Sequence, residues 1–184
     1  MRVVAIQASP NVDGLTSTGA QRALEGAKAA GAEVELIHLR KADIRLCLAC
    51  DAGWGKCRDE GVCVIEDEFE PTRQKLYAAR AIVLSTPVYF GETSEIVKAF
   101  LDRLRRCERG AKERSPLPNS AVLGIAAAGG SGRGTVSCAQ MLERCFSHLG
   151  LRLLDILPLT RWNRDYMLPA LEEAGQRLVA LAQE

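Results

Sequence analysis

The chain is predicted to fold as an α/β domain, a doubly wound parallel sheet of five strands with helices on both faces. Three observations carry that prediction. Five apolar runs of strand length alternate with longer amphipathic stretches, the rhythm of βαβ units. Three of those runs are apolar throughout, as expected of parallel strands covered on both sides. A length of 184 residues suits one domain with one sizeable core. The strands are expected near 2–8, 33–39, 80–86, 120–128 and 151–157. The continuous runs, Val3-Val4-Ala5-Ile6, Ala81-Ile82-Val83-Leu84 and Ala121-Val122-Leu123-Gly124-Ile125, belong in the centre of the sheet.

The second and fifth runs interleave charge, as Glu33-Val34-Glu35-Leu36 and Leu151-Arg152-Leu153-Leu154-Asp155-Ile156, which suits sheet edges. Of the two common doubly wound orders only 2-1-3-4-5, the flavodoxin-like one, puts both outside. Helices follow from the spacing of apolar residues. Residues 18–30 place Ala20, Ala23, Leu24 and Ala27 on one stripe; 93–106 place Ile96, Val97, Phe100, Leu101 and Leu104; 135–149 place Cys138, Leu142, Cys145, Phe146 and Leu149. Two more are expected over 68–79 and near 168–183. With no internal repeat or linker, residues 1–184 read as a single domain. Its least regular parts are a cysteine-rich loop at about 42–66 and a loop around Pro116 and Pro118.

Composition narrows the function. Lys and Arg number 24 against 23 Asp and Glu, a formal charge of +1 that argues against nucleic-acid binding. No apolar run approaches the roughly 18 residues of a membrane span, and the apolar stretch at the start is too short for a secretory leader, so the expected compartment is the cytoplasm. Seven cysteines, an odd number, do not suit a secreted disulfide framework.

In a sheet of this order ligands bind beyond the carboxyl ends of the strands, at the switch between strands one and three. After strand one comes Ser9-Pro10-Asn11-Val12-Asp13-Gly14-Leu15-Thr16-Ser17-Thr18, whose hydroxyls lead into a helix start able to hold a phosphate through N–H groups. A plain helix cap explains the same residues equally well. Asp13 should point to solvent. The segment is neither a P-loop nor a Gly-x-Gly-x-x-Gly fingerprint. After strand three, Pro87-Val88-Tyr89-Phe90-Gly91 sets two aromatics where a planar ring would stack, with one of the two expected to plug the core instead. After strand four, Gly129, Gly130, Gly132 and Gly134 let the backbone approach a flat ligand closely.

Taken together, Ser9-Pro10 with Gly14 and Thr16, Thr86 to Gly91 leading into Val97-Lys98-Ala99-Phe100-Leu101-Asp102-Arg103, and Gly129-Gly130 with Gly132 resemble the NADPH-dependent FMN reductase family. The similarity spans essentially the whole chain, and Pro87 to Gly91 is its most specific part. The resemblance implies a flavodoxin-like subunit with one non-covalent FMN, assembled as a homodimer or homotetramer. Electrons would pass from NAD(P)H or a reduced carrier to a small acceptor such as a quinone, a flavin, a nitro or azo compound, or oxygen. No side chain is assigned as acid or base. By matching position, Ser9, Thr16, Ser17 and Thr18 would serve the FMN phosphate; Pro87, Val88, Tyr89, Phe90 and Gly91 the ribityl chain and ring; Gly129, Gly130 and Gly132 the ring's polar edge. Where the family carries a basic residue and an Asn in the first loop, this chain holds Asn11 and Leu15. The rivals are a flavodoxin-type carrier without reductase activity, whose usual acidity a charge of +1 does not match, and a metal or redox sensor built on the cysteine loop.

Cys47, Cys50, Cys57 and Cys63 lie within 17 residues, separated by two, six and five others. Soft thiolates at that density can hold a metal or an iron–sulfur cluster. The iron–sulfur flavoprotein branch of the family has a compact motif here, but its third cysteine would fall at Gly53, and Cys57 replaces it only if the loop refolds. Free thiols therefore rank first, a [4Fe–4S] cluster second and structural zinc last. Trp54 is expected to anchor the loop, Cys138 and Cys145 to pack as small apolar groups, and Cys107 to be a surface thiol or inert; His38 and His148 receive no role. Arg103, Arg105, Arg106, Arg109, Lys112 and Arg114 are expected to form a solvated helix end, with docking of an acidic carrier or of the extra NADPH phosphate as the alternative.

Overall fold

The structure, a computed structural model, describes residues 1–184 and every side chain but that of Lys112. Five strands, β1 (Arg2–Gln7), β2 (Glu33–His38), β3 (Ala81–Pro87), β4 (Ala121–Ala128) and β5 (Arg152–Thr160), form one parallel sheet in the order β2-β1-β3-β4-β5. This is the expected flavodoxin-like order. Every residue of β3 and β4 is buried, whereas β2 and β5 are partly exposed. The edge position also explains why β5 tolerates Pro158, since a missing N–H costs no ladder bond on an open side.

Alternation along the central strands supplies two cores. Val3 and Ala5 pack under α1 (Leu15–Ala29) and α5 (Arg164–Leu181); Val4 and Ile6 pack with Phe69 of α2 (Phe69–Tyr77), Phe100 of α3 (Glu95–Ala111) and Phe146 of α4 (Thr135–His148). The first core is built of small residues because its two helices cross at backbone contact. A Cβ on Gly26 would lie 1.8 Å from the Glu172 carbonyl oxygen, and one on Gly175 would lie 1.9 Å from that of Ala23. No helix among the described residues is long and apolar enough to cross a membrane.

Two helix boundaries differ from expectation. α5 starts at Arg164 and keeps Pro169 within it, because packing of Leu171 and Leu178 on the sheet outweighs one lost backbone bond. α3 runs on to Ala111, where Gly110 lets another segment lie directly against it: a Cβ there would come 2.0 Å from the Cys57 carbonyl oxygen.

That segment is the cysteine-rich loop, and Arg103 closes its base. The guanidinium is 1% exposed and makes two bonds to the Asp67 carboxylate, whose side chain is 0% exposed, at 2.6 and 2.9 Å. It also donates to the carbonyls of Arg45 and Ile65 and stacks 4.2 Å over the Phe69 ring. One side chain thus grips both ends of the loop. The expected solvated helix end is corrected accordingly: Arg103 is buried, and Arg106 is half-buried and donates to the Gly53 carbonyl. The Arg105, Arg106 and Arg109 guanidinium groups lie 5.8, 5.0 and 5.5 Å from the Trp54 ring, so Trp54 sits on α3 as the anchor expected of it. The Lys112 side chain lies outside the described residues.

Candidate functional site

At the carboxyl end of β1 the buried Gln7 amide braces the exit, accepting from Ser9 N–H at 2.7 Å and donating to the Ser9 carbonyl at 3.2 Å. Two side-chain turns follow. The Asn11 N–H donates to Ser9 Oγ and the Asp13 N–H to Asn11 Oδ1, each at 3.1 Å, which delivers the chain to Gly14 at the head of α1. No side chain caps this helix, so its first-turn N–H groups have no acceptor within it. Asp13 is exposed, as expected, and the first turn of α1 itself holds no acidic residue. Thr16 and Ser17 are buried, and Ser17 Oγ has no hydrogen-bond partner among the described residues. Ser85 Oγ donates to the Thr16 carbonyl at 2.8 Å, tying the helix start to β3. Thr18 Oγ1 turns back to the Gly14 carbonyl. Leu15, where the family has Asn, packs partly on the α1–α5 core.

Beyond β3, Val88 N–H donates to the Ala127 carbonyl, and Tyr89 and Glu92 exchange two backbone bonds of 3.0 and 2.9 Å. Phe90 and Gly91 between them have φ of +51° and +80°, a two-residue turn with both residues left-handed. This corrects the expectation that one aromatic plugs the core: Tyr89 is exposed and Phe90 fully so. The turn reverses the chain before either ring can reach inward. Thr93 Oγ1 and Ser94 Oγ, just past the turn, are buried without partners among the described residues.

Beyond β4, a Cβ at Gly129 or Gly130 would meet nothing within 4 Å, so the backbone there is bare and open. Gly134 is different. Its φ is +82°, and a Cβ would come 2.9 Å from Gly91 Cα, so the two loops touch through paired glycines. Strand register (Gln7 beside Ser85, Pro87 beside Ala127) therefore gathers Ser9, Thr16 to Thr18, Pro87 to Gly91 and Gly129 to Gly132 at one edge of the sheet. Sequence reasoning passed over Thr93, Ser94 and the close approach of Gly134. It also missed a fourth loop, after β5, where the Trp162 indole lies 3.1 Å from the Cβ position of Gly132. A tryptophan just past the fifth strand was the available signal.

The cysteines divide into two sets. Cys47, Cys50, Cys57 and Cys63 are half-buried and, with Cys107, line one small pocket beside Arg103 and Arg106. Cys107 is buried, and burial pushes its thiol up to about 12; Cys138 is raised to about 12 for the same reason. Neither is a surface nucleophile. Cys145 is half-buried and burial raises it as well. His38 Nδ1 pairs with the Gln7 amide at 2.8 Å, a structural contact.

Two groups implied by the resemblance are tested by these residues. An uncapped helix start, an orphaned buried hydroxyl beside it and two open glycines fit a phosphate-tailed planar cofactor such as FMN. A metal cluster fits less well: among the described residues, no three Cys, His, Asp or Glu side chains are placed to hold a metal ion. The Cys57 carbonyl lies directly against Gly110, so this part of the loop is packed on α3.

Comparisons with known proteins complete the description. Residues 1–157 match the family described as NADPH-dependent FMN reductase. An iron–sulfur flavoprotein of Methanocaldococcus jannaschii is 32% identical over 130 residues, 71% of this chain and 65% of its own. One from Archaeoglobus fulgidus is 37% identical over 110 residues, 60% of this chain and 52% of its own. The matched stretch thus spans only about half to two thirds of these relatives' length. In fold, the NAD(P)H:quinone oxidoreductase from Methanothermobacter marburgensis superposes with a TM-score of 0.74 at 19% identity, covering 97% of this chain and 96% of that one.

Proposed function

Because this chain belongs to the NADPH-dependent FMN reductase family, we propose that it is an FMN-dependent oxidoreductase moving electrons from NAD(P)H to a small oxidised acceptor such as a quinone. The observation that carries the reading is the uncapped first turn of α1 with the unpartnered Ser17 hydroxyl buried beside it. N–H groups at a helix start, with its positive dipole end, bind phosphate without Lys or Arg. Ser9, Thr16, Ser17 and Thr18 would hold the phosphate; Pro87, Val88, Tyr89, Phe90 and Gly91 would flank the ribityl chain and ring; the backbone of Gly129, Gly130 and Gly132 would meet the ring's polar edge. FMN, when bound, supplies the two-electron chemistry. The protein's share is positional: the rigid two-residue turn presents Tyr89 and Phe90 for stacking, and the glycines exclude side chains that would lift the ring. The exposed aromatics Tyr89 and Phe90 support assembly as a homodimer or homotetramer, and the chain is read as cytoplasmic.

One observation favours a second reading, the name iron–sulfur flavoprotein carried by the relatives. In it Cys47, Cys50, Cys57 and Cys63 gather around a [4Fe–4S] cluster and a redox carrier supplies electrons, which requires residues 50–57 to refold. None of the four is in a disulfide. An anaerobic visible spectrum with iron and acid-labile sulfide analysis separates the readings. Flavin bands without iron, and NAD(P)H oxidation coupled to quinone reduction, are expected. Colourless protein that takes up no added FMN would refute the proposal.

A further inference from the structure

The loop after β5 carries a feature that flavin binding does not use. Trp162 is 71% exposed, yet its backbone is tied down by side-chain hydrogen bonds on both sides. The N–H groups of Trp162 and Asn163 both donate to Thr160 Oγ1 at 3.2 Å. The Thr160 N–H donates back to Asn163 Oδ1 at 2.7 Å, and Asn163 Nδ2 to the Pro158 carbonyl at 2.8 Å. This turn stands at the level of the glycine loop, because Thr160 pairs with Ala128 in the sheet. The indole edge lies against Gly132, 3.1 Å from where its Cβ would be. The Arg161 guanidinium stacks 4.2 Å from the indole centroid. Arg133 and Arg164, which flank the contact in sequence, are exposed too, and among the described residues none of the three arginines forms a salt bridge. Asp165 is the single carboxylate adjoining them in sequence.

A rigid exposed indole next to uncommitted guanidinium groups suits a ligand with a flat base and phosphates. The chain lacks the glycine fingerprint by which dinucleotide-binding domains hold a pyrophosphate. A dinucleotide donor must therefore be held by other means near the bare glycine backbone. We infer that Trp162 and Arg161 form the platform for a nicotinamide dinucleotide, the indole stacking one of its bases while Arg161, with Arg133 and Arg164, takes its phosphates. The inference rests on the proposed flavin reductase reading and names the donor's seat within it. Pre-ordering by Thr160 and Asn163 means that little conformational freedom is lost when the base stacks.

The test uses FMN-loaded protein titrated by calorimetry with oxidised dinucleotide, NADP⁺ and NAD⁺ in separate arms, so that no turnover intervenes. Trp162→Ala should weaken binding about tenfold or more, the scale of one lost base stack. Trp162→Phe, which keeps an aromatic face, should recover most of it. Arg161→Gln should weaken binding about fivefold and flatten its salt dependence. FMN affinity should change less than about twofold in all three. A role in supporting the Gly132 loop alone would instead lower FMN affinity in step with dinucleotide affinity, and that result overturns the inference. So does unchanged dinucleotide binding with a shift in oligomeric state, which would make the patch a contact between copies. Wild-type protein that carries FMN but binds neither dinucleotide also removes the platform while leaving the flavin site standing, whereas protein that takes no FMN removes both.

Discussion

Gly130 and Gly134 belong to one loop, yet the structure gives them opposite jobs, and substituting each separates a flavin contact from a structural hinge. At Gly130 an added side chain meets nothing within 4 Å and the backbone is not left-handed, so Gly130→Val should leave the stability of the flavin-free protein within about 0.5 kcal/mol of wild type. If the flavin ring lies on that backbone, the isopropyl group occupies its place. Displacing the ring from its hydrogen bonds and stacking partner costs on the order of 2–3 kcal/mol, a roughly 30- to 150-fold rise in FMN Kd. At Gly134 the methyl of Ala would sit 2.9 Å from Gly91 Cα and 3.2 Å from Val88 Cγ1, at a φ of +82°. Backbone strain of about 1 kcal/mol or more then adds to the cost of parting two loops, so Gly134→Ala should lose about 2–3 kcal/mol of stability as well as flavin affinity. Urea unfolding of the flavin-free forms and FMN titration by fluorescence quenching give both numbers. Tight FMN binding by Gly130→Val would refute the placement of the ring, and an unperturbed Gly134→Ala would refute the loop contact.

Three further outcomes follow from the packing. Arg103→Leu leaves the Asp67 carboxylate buried without its partner and should cost about 3–5 kcal/mol in urea unfolding. Burial alone would raise the Asp67 carboxyl, but bonds from Arg103 and from the Arg45 and Phe69 N–H groups hold it below its ordinary 3.8. Its contribution is therefore present above that pH and lost as pH falls through the lowered value, so Asp67→Asn should flatten the acid limb of the stability curve; an identical acid limb would contradict the clamp. The buried thiols work at the other end of the scale. Cys107 and Cys138, raised from 9.0 to about 12, stabilise the neutral form, and stability should fall from pH 9 upward by about 1.4 kcal/mol per pH unit for each thiol. Replacing either with Ala should remove that share of the slope in alkaline unfolding, and an unaltered slope would show the thiol to be hydrated. Gly26→Ala would drive a methyl into the Glu172 carbonyl and part α1 from α5, for a loss of about 2–3 kcal/mol or roughly 4–12 °C in Tm, checked by calorimetry of the flavin-free protein against Gly129→Ala, whose added methyl meets nothing within 4 Å and whose backbone is not left-handed.

Much of this architecture was legible because parallel sheets write themselves plainly. Val3 to Ile6, Ala81 to Leu84 and Ala121 to Ile125 are apolar on both faces, and charge is interleaved with the apolar run only in β2 and β5, so strand order followed from that patterning. The candidate flavin loops were legible for the same reason: once the order is known, the switch point between β1 and β3 names the segments to inspect. Of the arginines of α3, Arg105 and Arg109 are exposed as expected, but Arg103 and Arg106 were misjudged. Local spacing marks Arg103 as one more charge near a helix end, and the Asp67 that draws it inward lies 36 residues away. Phe90 was misjudged too, since apolarity says nothing about a tight turn that points a ring outward.

Periodicity and residue type alone determined the sheet, its order, its two covering layers and the hydroxyl-to-glycine loops at its carboxyl edge, because those properties are sums over neighbours along the chain. Only the tertiary structure decided which polar groups are orphaned, which glycines touch backbone, that the thiols share a pocket without converging, and that Trp162 stands beside Gly132. Each of these depends on contacts between segments distant in sequence, whose geometry is set by packing the whole domain at once.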